Sequence, residues 1–307
     1  MTALIIGVDG GGTSTRCVVV SQDGRVAGRG LAAGANVVSA ADPAASLLAA
    51  LREAMRGLDP ARVAGGVFGL AGSGAGRAGK LAAEAWRAAG LPGRPFVVAD
   101  VLVAFAGATA EPDGTVLLSG TGSVAARIAG WDVVRVADGH GWLVGDEGSG
   151  VWIGREAVTA ALKSLDGRGV RTGLVDRLGL GRSPDEIVSR VYAQVADQGP
   201  ASLGRFAPIV DEAARHGDEA AAAILADAAR RLTATARALG PGPGPMVLAG
   251  SLLTQPTELA RLVRAELGDV ETIPARDNAA GAAALGLRVV FPSADAHRRV
   301  IGDAHAA

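Results

Sequence analysis

The chain has 307 residues, of which 49% are hydrophobic, and its formal net charge is −1. This length allows one large or two ordinary domains, the near-neutral charge argues against a nucleic-acid surface, and neither a membrane span nor a signal peptide is recognisable, so we expect a soluble, cytoplasmic protein. Cys17 is the only cysteine, which excludes disulfides, iron–sulfur clusters and thiolate zinc sites within one chain.

The first third of the chain predicts three strands followed by alternating helices and strands. Residues 3–8 and 16–21 are apolar runs around "DGGGTST", and Asp23-Gly24 predicts a tight turn into a third strand. Consecutive glycines leave main-chain N–H groups accessible, and with hydroxyls beside them they suit a phosphate, although a merely flexible hairpin is the alternative. The next predicted elements are a helix over 42–58, a strand over 63–72, a helix over 76–89, a strand over 94–100 and a short helix over 101–108.

The pattern then begins again. "GTVLLSGTGSVAARIAGWDVVRVADG" contains three apolar runs, with Gly120-Thr121-Gly122-Ser123 in the first turn. Residues 149–239 read as mainly helical, and a strand, a helix, a strand and a helix from Asp277 onward follow "PGPGP". A βββ-α-β-α unit that occurs twice, each time with a glycine hairpin, predicts two lobes that hold one polyphosphate from opposite sides.

A competing motif lies between the predicted fourth strand and its helix. Gly74-Ala75-Gly76-Arg77-Ala78-Gly79 matches the GxGxxG of dinucleotide-binding proteins, and Asp100 lies about where a ribose-binding acid is expected. A P-loop is excluded because Leu81 occupies the position of the magnesium-binding hydroxyl. In a chain with 45 glycines such a match arises easily, and it leaves the other glycine clusters unexplained, so NAD binding is the weaker interpretation.

With both hairpins identified, the chain resembles the sugar-kinase, actin and Hsp70 superfamily of ATPases. Within it the chain is similar to the BadF/BadG-type ATPase family, and most similar to its N-acetylglucosamine kinase branch. The matching segments run through nearly the whole chain: "GVDGGGTSTRCVVVSQDG", "GAN", "GLAG", "VVAD", "LLSGTGSVA", "GWLVGDEGSG", "RFAPIVDEAARHGD" and "VLAGSLL". The resemblance implies an α/β fold, a duplicated ribonuclease H-like pair of lobes with the active site in the interlobe cleft.

The resemblance implies ATP and Mg²⁺ as cofactors. Asp9 is expected to hold Mg²⁺, through water, because this ion keeps several waters and needs few carboxylates. The implied nucleotide-binding positions are Gly11, Gly12, Thr13, Thr121, Gly122, Ala207, Gly250 and Ser251. The first hairpin would hold the β- and γ-phosphates, the second would close on them, and Gly250-Ser251 matches the adenosine motif.

On the substrate side, the resemblance makes Asp100 the catalytic carboxylate that accepts the proton of the attacking sugar hydroxyl. An Asp after a strand is also a common helix N-cap, and the two roles are compatible. The implied sugar-binding positions are Asn36, Asp100, Ser123, Gly139, His140, Gly141 and Asp146. His140 is equally well explained as an ordinary loop residue.

The resemblance implies ATP-dependent phosphorylation of an amino sugar, first of all N-acetylglucosamine, with the sugar 6-phosphate as the product. Val124 stands where animal relatives carry Asn, so one hydrogen bond to the sugar is lost or replaced. "GDEG" replaces the Asp-Gln-Gly of related glucosamine kinases, and this second difference favours the N-acetylated sugar over glucosamine. Glucosamine or N-acetylmuramic acid kinase activity and a non-catalytic sugar or nucleotide sensor remain alternatives. The expected lobes are residues 1–109 with about 277–307, and residues 110–276, and a homodimer is possible.

Overall fold

The computed structural model describes residues 2–12, 14–35, 42–70, 76–291 and 294–303. Within these residues the strands are β1 Leu4–Gly10, β2 Ser14–Ser21, β3 Val26–Ala33, β4 Val63–Leu70, β5 Phe96–Ala99, β6 Gly114–Ser119, β7 Ser123–Ala129, β8 Asp132–Asp138, β9 Met246–Ala249 and β10 Thr272–Pro274. The helices are α1 Pro43–Ala54, α2 Arg77–Ala88, α3 Asp100–Ala106, α4 Gly150–Leu165, α5 Leu174–Arg177, α6 Pro184–Gln198, α7 Ala207–Arg215, α8 Glu219–Ala238, α9 Ser251–Thr254, α10 Glu258–Leu267, α11 Asn278–Val290 and α12 Ala294–Asp303. Short 3-10 helices occupy Pro60–Arg62 and Pro200–Phe206.

The chain forms two compact units. The first comprises Met1–Gly114, Ile128–Val133 and Ala275–Ala307, and the second comprises Thr115–Arg127 and Val134–Pro274. No helix in the described part of the chain combines the length and apolar character needed to cross a membrane.

Each unit is built on a sheet of the same connectivity. Among the described residues, the first sheet has the order β3-β2-β1-β4-β5 and the second has the order β10-β9-β6-β7-β8. Read from β8, the second order is β8-β7-β6-β9-β10 and repeats the first. In each sheet the leading strand, which is β1 or β6, comes first in the chain and has two strands on either side. In both units the leading strand runs parallel to the strand that follows a helix, β1 to β4 and β6 to β9. The predicted α/β fold with a duplicated unit is confirmed.

Strand β1 is buried on both faces, and its alternating side chains decide what each face contacts. Leu4, Ile6 and Val8 join the core formed with α1 and α2, whereas Ile5 packs against α11. Gly7 is also on the α11 face, where an added Cβ would lie 2.1 Å from the Ala279 carbonyl oxygen. The absence of a side chain at Gly7 therefore lets α11 approach the strand, and Asp9, two residues further on, lies on the same face.

The second unit has a larger helical layer. One hydrophobic cluster joins the sheet through Leu117 and Leu248 to helices α4, α7, α8 and α10. The stretch predicted as mainly helical contains α4 to α8, and polar side chains define where the long helices begin. Ser149 caps α4 by accepting a hydrogen bond from the Trp152 N–H at 3.1 Å, and Ser183 begins α6 with a capping box.

Candidate active site

Two acidic residues lie at the carboxyl ends of strands of the first sheet, at the same edge. Asp9 is the penultimate residue of β1 and pairs in register with Gly69 of β4, which in turn pairs with Val98 of β5. Asp100 follows two residues after Val98. Because β1, β4 and β5 are parallel, their carboxyl ends meet at one edge, which is where open α/β sheets bind ligands.

The environment of Asp9 disfavours its ionised form. Burial raises the pKa of Asp9 to about 7, and the negative charges of Asp100 and Asp277 add to this effect. Arg16 lies directly opposite Asp9 on β2 and lowers the pKa of Asp9, as does the hydrogen bond from Asn278. The Asn278 Nδ2 donates to Asp9 Oδ2 at 3.3 Å. A buried carboxylate in this setting is ready to bind a cation.

Asp100 is the first residue of α3, which therefore begins directly at the end of β5. Its Oδ1 accepts a hydrogen bond from the Val101 N–H at 2.9 Å, so the side chain contacts the first turn from inside the helix instead of from the N-cap position. Burial raises the pKa of Asp100, and main-chain hydrogen bonds oppose that shift. A carboxylate with a raised pKa is a better proton acceptor near neutral pH.

The first glycine hairpin connects β1 to β2. Gly11 N–H donates to the Ser14 carbonyl at 3.1 Å, and the Gly11 carbonyl accepts from Ala35 N–H at 3.0 Å. Gly34 approaches the hairpin so closely that an added Cβ would lie 2.2 Å from the Gly12 carbonyl oxygen. The hairpin is thus held by the segment that follows β3. Two predicted site residues, Thr13 and Asn36, lie outside the described residues.

The second glycine hairpin, between β6 and β7, is fixed by its own serines. Ser119 Oγ donates to the Gly148 carbonyl at 2.9 Å, and Ser123 Oγ donates to the Glu147 carbonyl at 2.8 Å. Ser123 is buried, and its hydroxyl proton is used within the unit. Thr121 at the tip is exposed. The hairpin therefore presents main-chain groups and the Thr121 side chain, as a phosphate loop requires.

The segment after β8 carries the predicted sugar-contacting residues. Gly139 and His140 are exposed, whereas Gly141 and Asp146 are partly buried. Burial raises the pKa of Asp146, and main-chain hydrogen bonds from Gly141 and Ser123 oppose that shift. Asp146 therefore lies beside the second hairpin.

Val124, the departure from animal relatives noted in the sequence, contacts the start of this segment. An added Cβ on Gly139 would lie 3.0 Å from Val124 Cγ2. An apolar group therefore occupies a position beside the segment where those relatives carry an amide.

The predicted adenosine motif requires glycine for steric reasons. Gly250 has a φ of +82°, and an added Cβ would lie 2.1 Å from the Ser119 carbonyl oxygen. Ser251 begins α9 and is exposed, and Ala207 begins α7 and is buried. The roles of Gly250, Ser251 and Ala207 in nucleotide binding stay predictions.

The rival GxGxxG motif finds little support. Gly74 and Ala75 lie outside the described residues, and Gly76 is the N-cap of α2 with a φ of +64°. A Cβ added to Gly79 would meet nothing within 4 Å, although the last glycine of a dinucleotide fingerprint is needed for close helix–strand packing. The surroundings of Gly79 leave space for a side chain, so they do not require glycine at this position.

Two functional candidates were missed in the sequence. Asn278 contacts Asp9 from a distant part of the chain, so no local pattern could reveal it. Asp138 accepts hydrogen bonds from the main chain of Asp146 and Glu147. Its one sequence signal is its position at the end of a strand, directly before a predicted contacting glycine.

The donor set fits a magnesium ion that is held mainly by a substrate. No group of three or more His, Cys, Asp or Glu side chains in the described ranges is arranged to hold a metal ion. Mg²⁺ is commonly held by one or two carboxylates together with water and substrate phosphates. Asp9, which is buried beside other carboxylates, is predicted to provide one such ligand.

Comparisons with known proteins identify the family of the chain. The model of the BadF/BadG/BcrA/BcrD ATPase family matches residues 6–286. The N-acetylmuramic acid/N-acetylglucosamine kinase of Clostridium acetobutylicum is 30% identical over 255 residues, covering 76% of this chain and 78% of the relative. The N-acetyl-D-glucosamine kinase of Dictyostelium discoideum is 29% identical over 247 residues, covering 75% and 76% of the two chains.

The solved structures include a candidate N-acetylglucosamine kinase from Chromobacterium violaceum. It superposes with a TM-score of 0.76 at 28% identity, covering 93% of this chain and 99% of the other. The family match, the two curated relatives and this structure confirm the resemblance that the motifs indicated. The chain belongs to the BadF/BadG/BcrA/BcrD ATPase family.

Proposed function

We propose that this protein transfers the γ-phosphoryl group of ATP to the 6-hydroxyl of an amino sugar, and that N-acetylglucosamine is its substrate. The observation that carries the proposal is the placement of Asp9 and Asp100 at one edge of the first sheet, next to a glycine hairpin. Further support comes from the relatives, since two of them are named as kinases of N-acetylated amino sugars.

In this proposal Asp100 is the general base. Its carboxylate accepts the proton of the sugar hydroxyl as that oxygen attacks the γ-phosphorus in line, and ADP leaves with the electrons of the broken P–O bond. The raised pKa of Asp100 supports the role, because a base that titrates closer to neutrality takes up a proton more readily.

Asp9 would hold Mg²⁺ together with the nucleotide phosphates. When bound, the ion neutralises charge that develops on the transferred phosphoryl group. The main chain of the first glycine hairpin would bind phosphate oxygens, and the resemblance gives the same role to Thr121 and Gly122 of the second hairpin. Burial raises the pKa of Asp9 to about 7, and a cation bound beside it would lower that pKa.

The segment from Gly139 to Asp146, together with Asn36, would bind the sugar. A carboxylate can accept hydrogen bonds from two neighbouring hydroxyls, and the amide of an Asn can both donate to and accept from an N-acetyl group. Glucosamine and N-acetylmuramic acid present the same 6-hydroxyl, so the assay has to distinguish them.

The test is ADP release with Mg-ATP and N-acetylglucosamine, glucosamine, N-acetylmuramic acid or glucose, beside the Asp100→Asn variant. We expect turnover with N-acetylglucosamine and a loss of kcat of about 10²- to 10⁴-fold in the variant, with unchanged folding. ATP binding without sugar-dependent turnover would overturn the kinase proposal and favour a sensor. NADH binding in place of ATP binding would support the discarded GxGxxG motif.

A further inference from the structure

A single carboxylate at the end of β8 holds two consecutive main-chain amides. Asp138 Oδ1 accepts from the Asp146 N–H at 2.8 Å, and Asp138 Oδ2 accepts from the Glu147 N–H at 2.8 Å. Both bonds are of ideal length, and bonds from N–H groups to a carboxylate are stronger than neutral ones. The turn that carries Asp146 is therefore fastened from a residue eight positions earlier.

The backbone that Asp138 fastens is strained. Asp146 has a φ of +53° and Asp138 has a φ of +60°, values that residues other than glycine rarely adopt. Such a conformation persists only where its surroundings enforce it, and it is common at ligand-binding sites. Between the two residues, Gly145 has no space for a side chain, since an added Cβ would lie 2.4 Å from Asp138 Oδ1.

The two hydrogen bonds to Asp138 form a clamp that determines where the Asp146 side chain lies. The Asp146 carboxylate lies against the second hairpin, where a Cβ added to Gly122 would be 2.9 Å from Asp146 Oδ2. It also receives main-chain hydrogen bonds from Ser123 and Gly141. A main-chain rotation at Asp146 would move the carboxylate out of this position, and the two bonds to Asp138 oppose that rotation.

The neighbouring residue, Glu147, is held through its side chain as well as its main chain. The Glu147 side chain forms an ion pair with Arg231 of α8. Arg231 also bonds to Asp227 at 2.9 Å and lies over the Trp152 ring at 5.2 Å. The Asp146 carbonyl accepts from the Ser149 N–H at 3.1 Å and the Glu147 carbonyl accepts from Ser123 Oγ at 2.8 Å, so other groups hold the carbonyls of the turn whose N–H groups bond to Asp138.

We propose that Asp138 is a positioning residue that orients Asp146 for sugar binding, an inference that rests on the proposed kinase function. Asp138 contacts the main chain of the turn and acts on the substrate only through Asp146. A displacement of about 1 Å in a substrate-positioning group can cost about a hundredfold in rate. The loss of the clamp is therefore expected to affect the sugar and to spare the nucleotide.

The test compares Asp138→Gly and Asp138→Asn by steady-state kinetics with Mg-ATP and N-acetylglucosamine. Glycine accepts the positive φ at position 138, so Asp138→Gly removes the carboxylate without adding strain there. We expect it to raise the KM for the sugar by about tenfold to a hundredfold, with the KM for ATP unchanged. Asparagine keeps one acceptor oxygen but places an NH₂ group against an N–H donor, so Asp138→Asn is expected to lie between glycine and wild type.

A double-mutant cycle with Asp146→Asn tests whether Asp138 acts through Asp146. If it does, Asp138→Gly adds less than about twofold in the Asp146→Asn background, because coupled residues are not additive. Asp132→Ala, at the exposed start of the same strand, is the matched control and is expected to behave as wild type.

Equal effects of Asp138→Gly on both substrates, or full additivity with Asp146→Asn, would overturn the proposal. If wild type transfers no phosphate to any sugar, the kinase function fails and the role of Asp138 in it fails too. Amide hydrogen exchange separates the two outcomes, since the clamp predicts faster exchange at Asp146 and Glu147 in Asp138→Gly whether or not the enzyme turns over.

Discussion

Asp9 and Asn278 are joined by a hydrogen bond of 3.3 Å although 269 residues separate them in the chain. Asp9 is the penultimate residue of β1, and Asn278 is the first residue of α11. The N-terminus of a helix carries partial positive charge, so α11 supports the Asp9 carboxylate through both its dipole and a side-chain donor. A helix near the end of the chain therefore tunes the residue proposed to hold the metal ion.

Asn278→Asp is expected to weaken Mg-ATP binding. The substitution removes the donor and adds a carboxylate next to Asp9, and both changes raise the pKa of Asp9. At pH 7.5 the KM for Mg-ATP should rise by about tenfold, equivalent to about 1.4 kcal/mol, and should partly recover at pH 8.5. Asn278→Ala, which removes the donor without adding charge, should give a smaller rise. A comparable rise in the KM for the sugar would contradict this assignment.

Asp9→Asn is expected to abolish activity and to stabilise the fold at pH 8. Asp9 has a pKa of about 7 in the folded protein, above its ordinary value of 3.8, so the folded state binds more protons than the unfolded state between these values. The contribution of Asp9 to the free energy of unfolding is therefore fully present below about pH 4 and is lost as the pH rises to about 7. Asparagine removes the penalty, and the Tm in EDTA at pH 8 should increase.

The difference in Tm between Asp9→Asn and wild type should shrink as pH falls from 8 towards 4. Asp132→Asn on the exposed start of β8 is the control and should show no such trend. A Tm at pH 8 below that of wild type would mean that the Asp9 carboxylate stabilises the fold, contrary to this prediction.

Two glycines with opposite surroundings give a test of packing. Gly7→Ala places a Cβ 2.1 Å from the Ala279 carbonyl oxygen and 2.2 Å from the Ala283 nitrogen, so α11 must move away from β1. Gly79→Ala lies within α2 with nothing within 4 Å of the added Cβ. Urea unfolding should show strong destabilisation for Gly7→Ala and a gain of about 0.5–1 kcal/mol for Gly79→Ala. If Gly79→Ala instead lowered the free energy of unfolding, the added methyl group would clash with atoms that this structure does not place near Gly79.

The sequence predicted the elements well because the local signals were strong. The apolar runs around both glycine hairpins gave the leading strands, and their repetition gave the duplicated unit. The helix predicted over 42–58 is shorter, because α1 ends at Ala54 and Gly57 adopts a φ of +77°. Glycine within a helical pattern is tolerated often enough that periodicity alone does not place the end.

The site was predicted only where its residues belong to local motifs. Asp9 and Asp100 each lie at the carboxyl end of an apolar run, which the sequence shows directly. Asn278 and Asp138 act through contacts that depend on the path of the chain, since one comes from a distant helix and the other reaches across a turn with positive φ values. Neither a propensity nor a spacing reports such contacts.

A buried histidine in the first unit predicts a loss of stability in acid. His297 is fully buried, its Nε2 donates to the Ala106 carbonyl at 2.8 Å, and its Nδ1 accepts from Arg288 Nε at 2.7 Å. Its ring also lies 5.0 Å from that of Trp131. Protonation would put a second proton on Nδ1 against the Arg288 guanidinium, so the neutral ring is the form that fits.

Burial, together with the positive charge of Arg288, lowers the pKa of His297 to about 4 from an ordinary value of 6.5. Above about pH 6.5 neither state is protonated and the contribution is complete, whereas between about 6.5 and 4 the unfolded state binds the proton and stability falls. Urea unfolding of wild type should lose up to about 3 kcal/mol over this range from this group. His297→Phe should be less stable at pH 7.5 but should lose less on acidification, and His216→Gln, a change at an exposed position, should follow wild type. An acid dependence in His297→Phe as steep as in wild type would show that another group causes it.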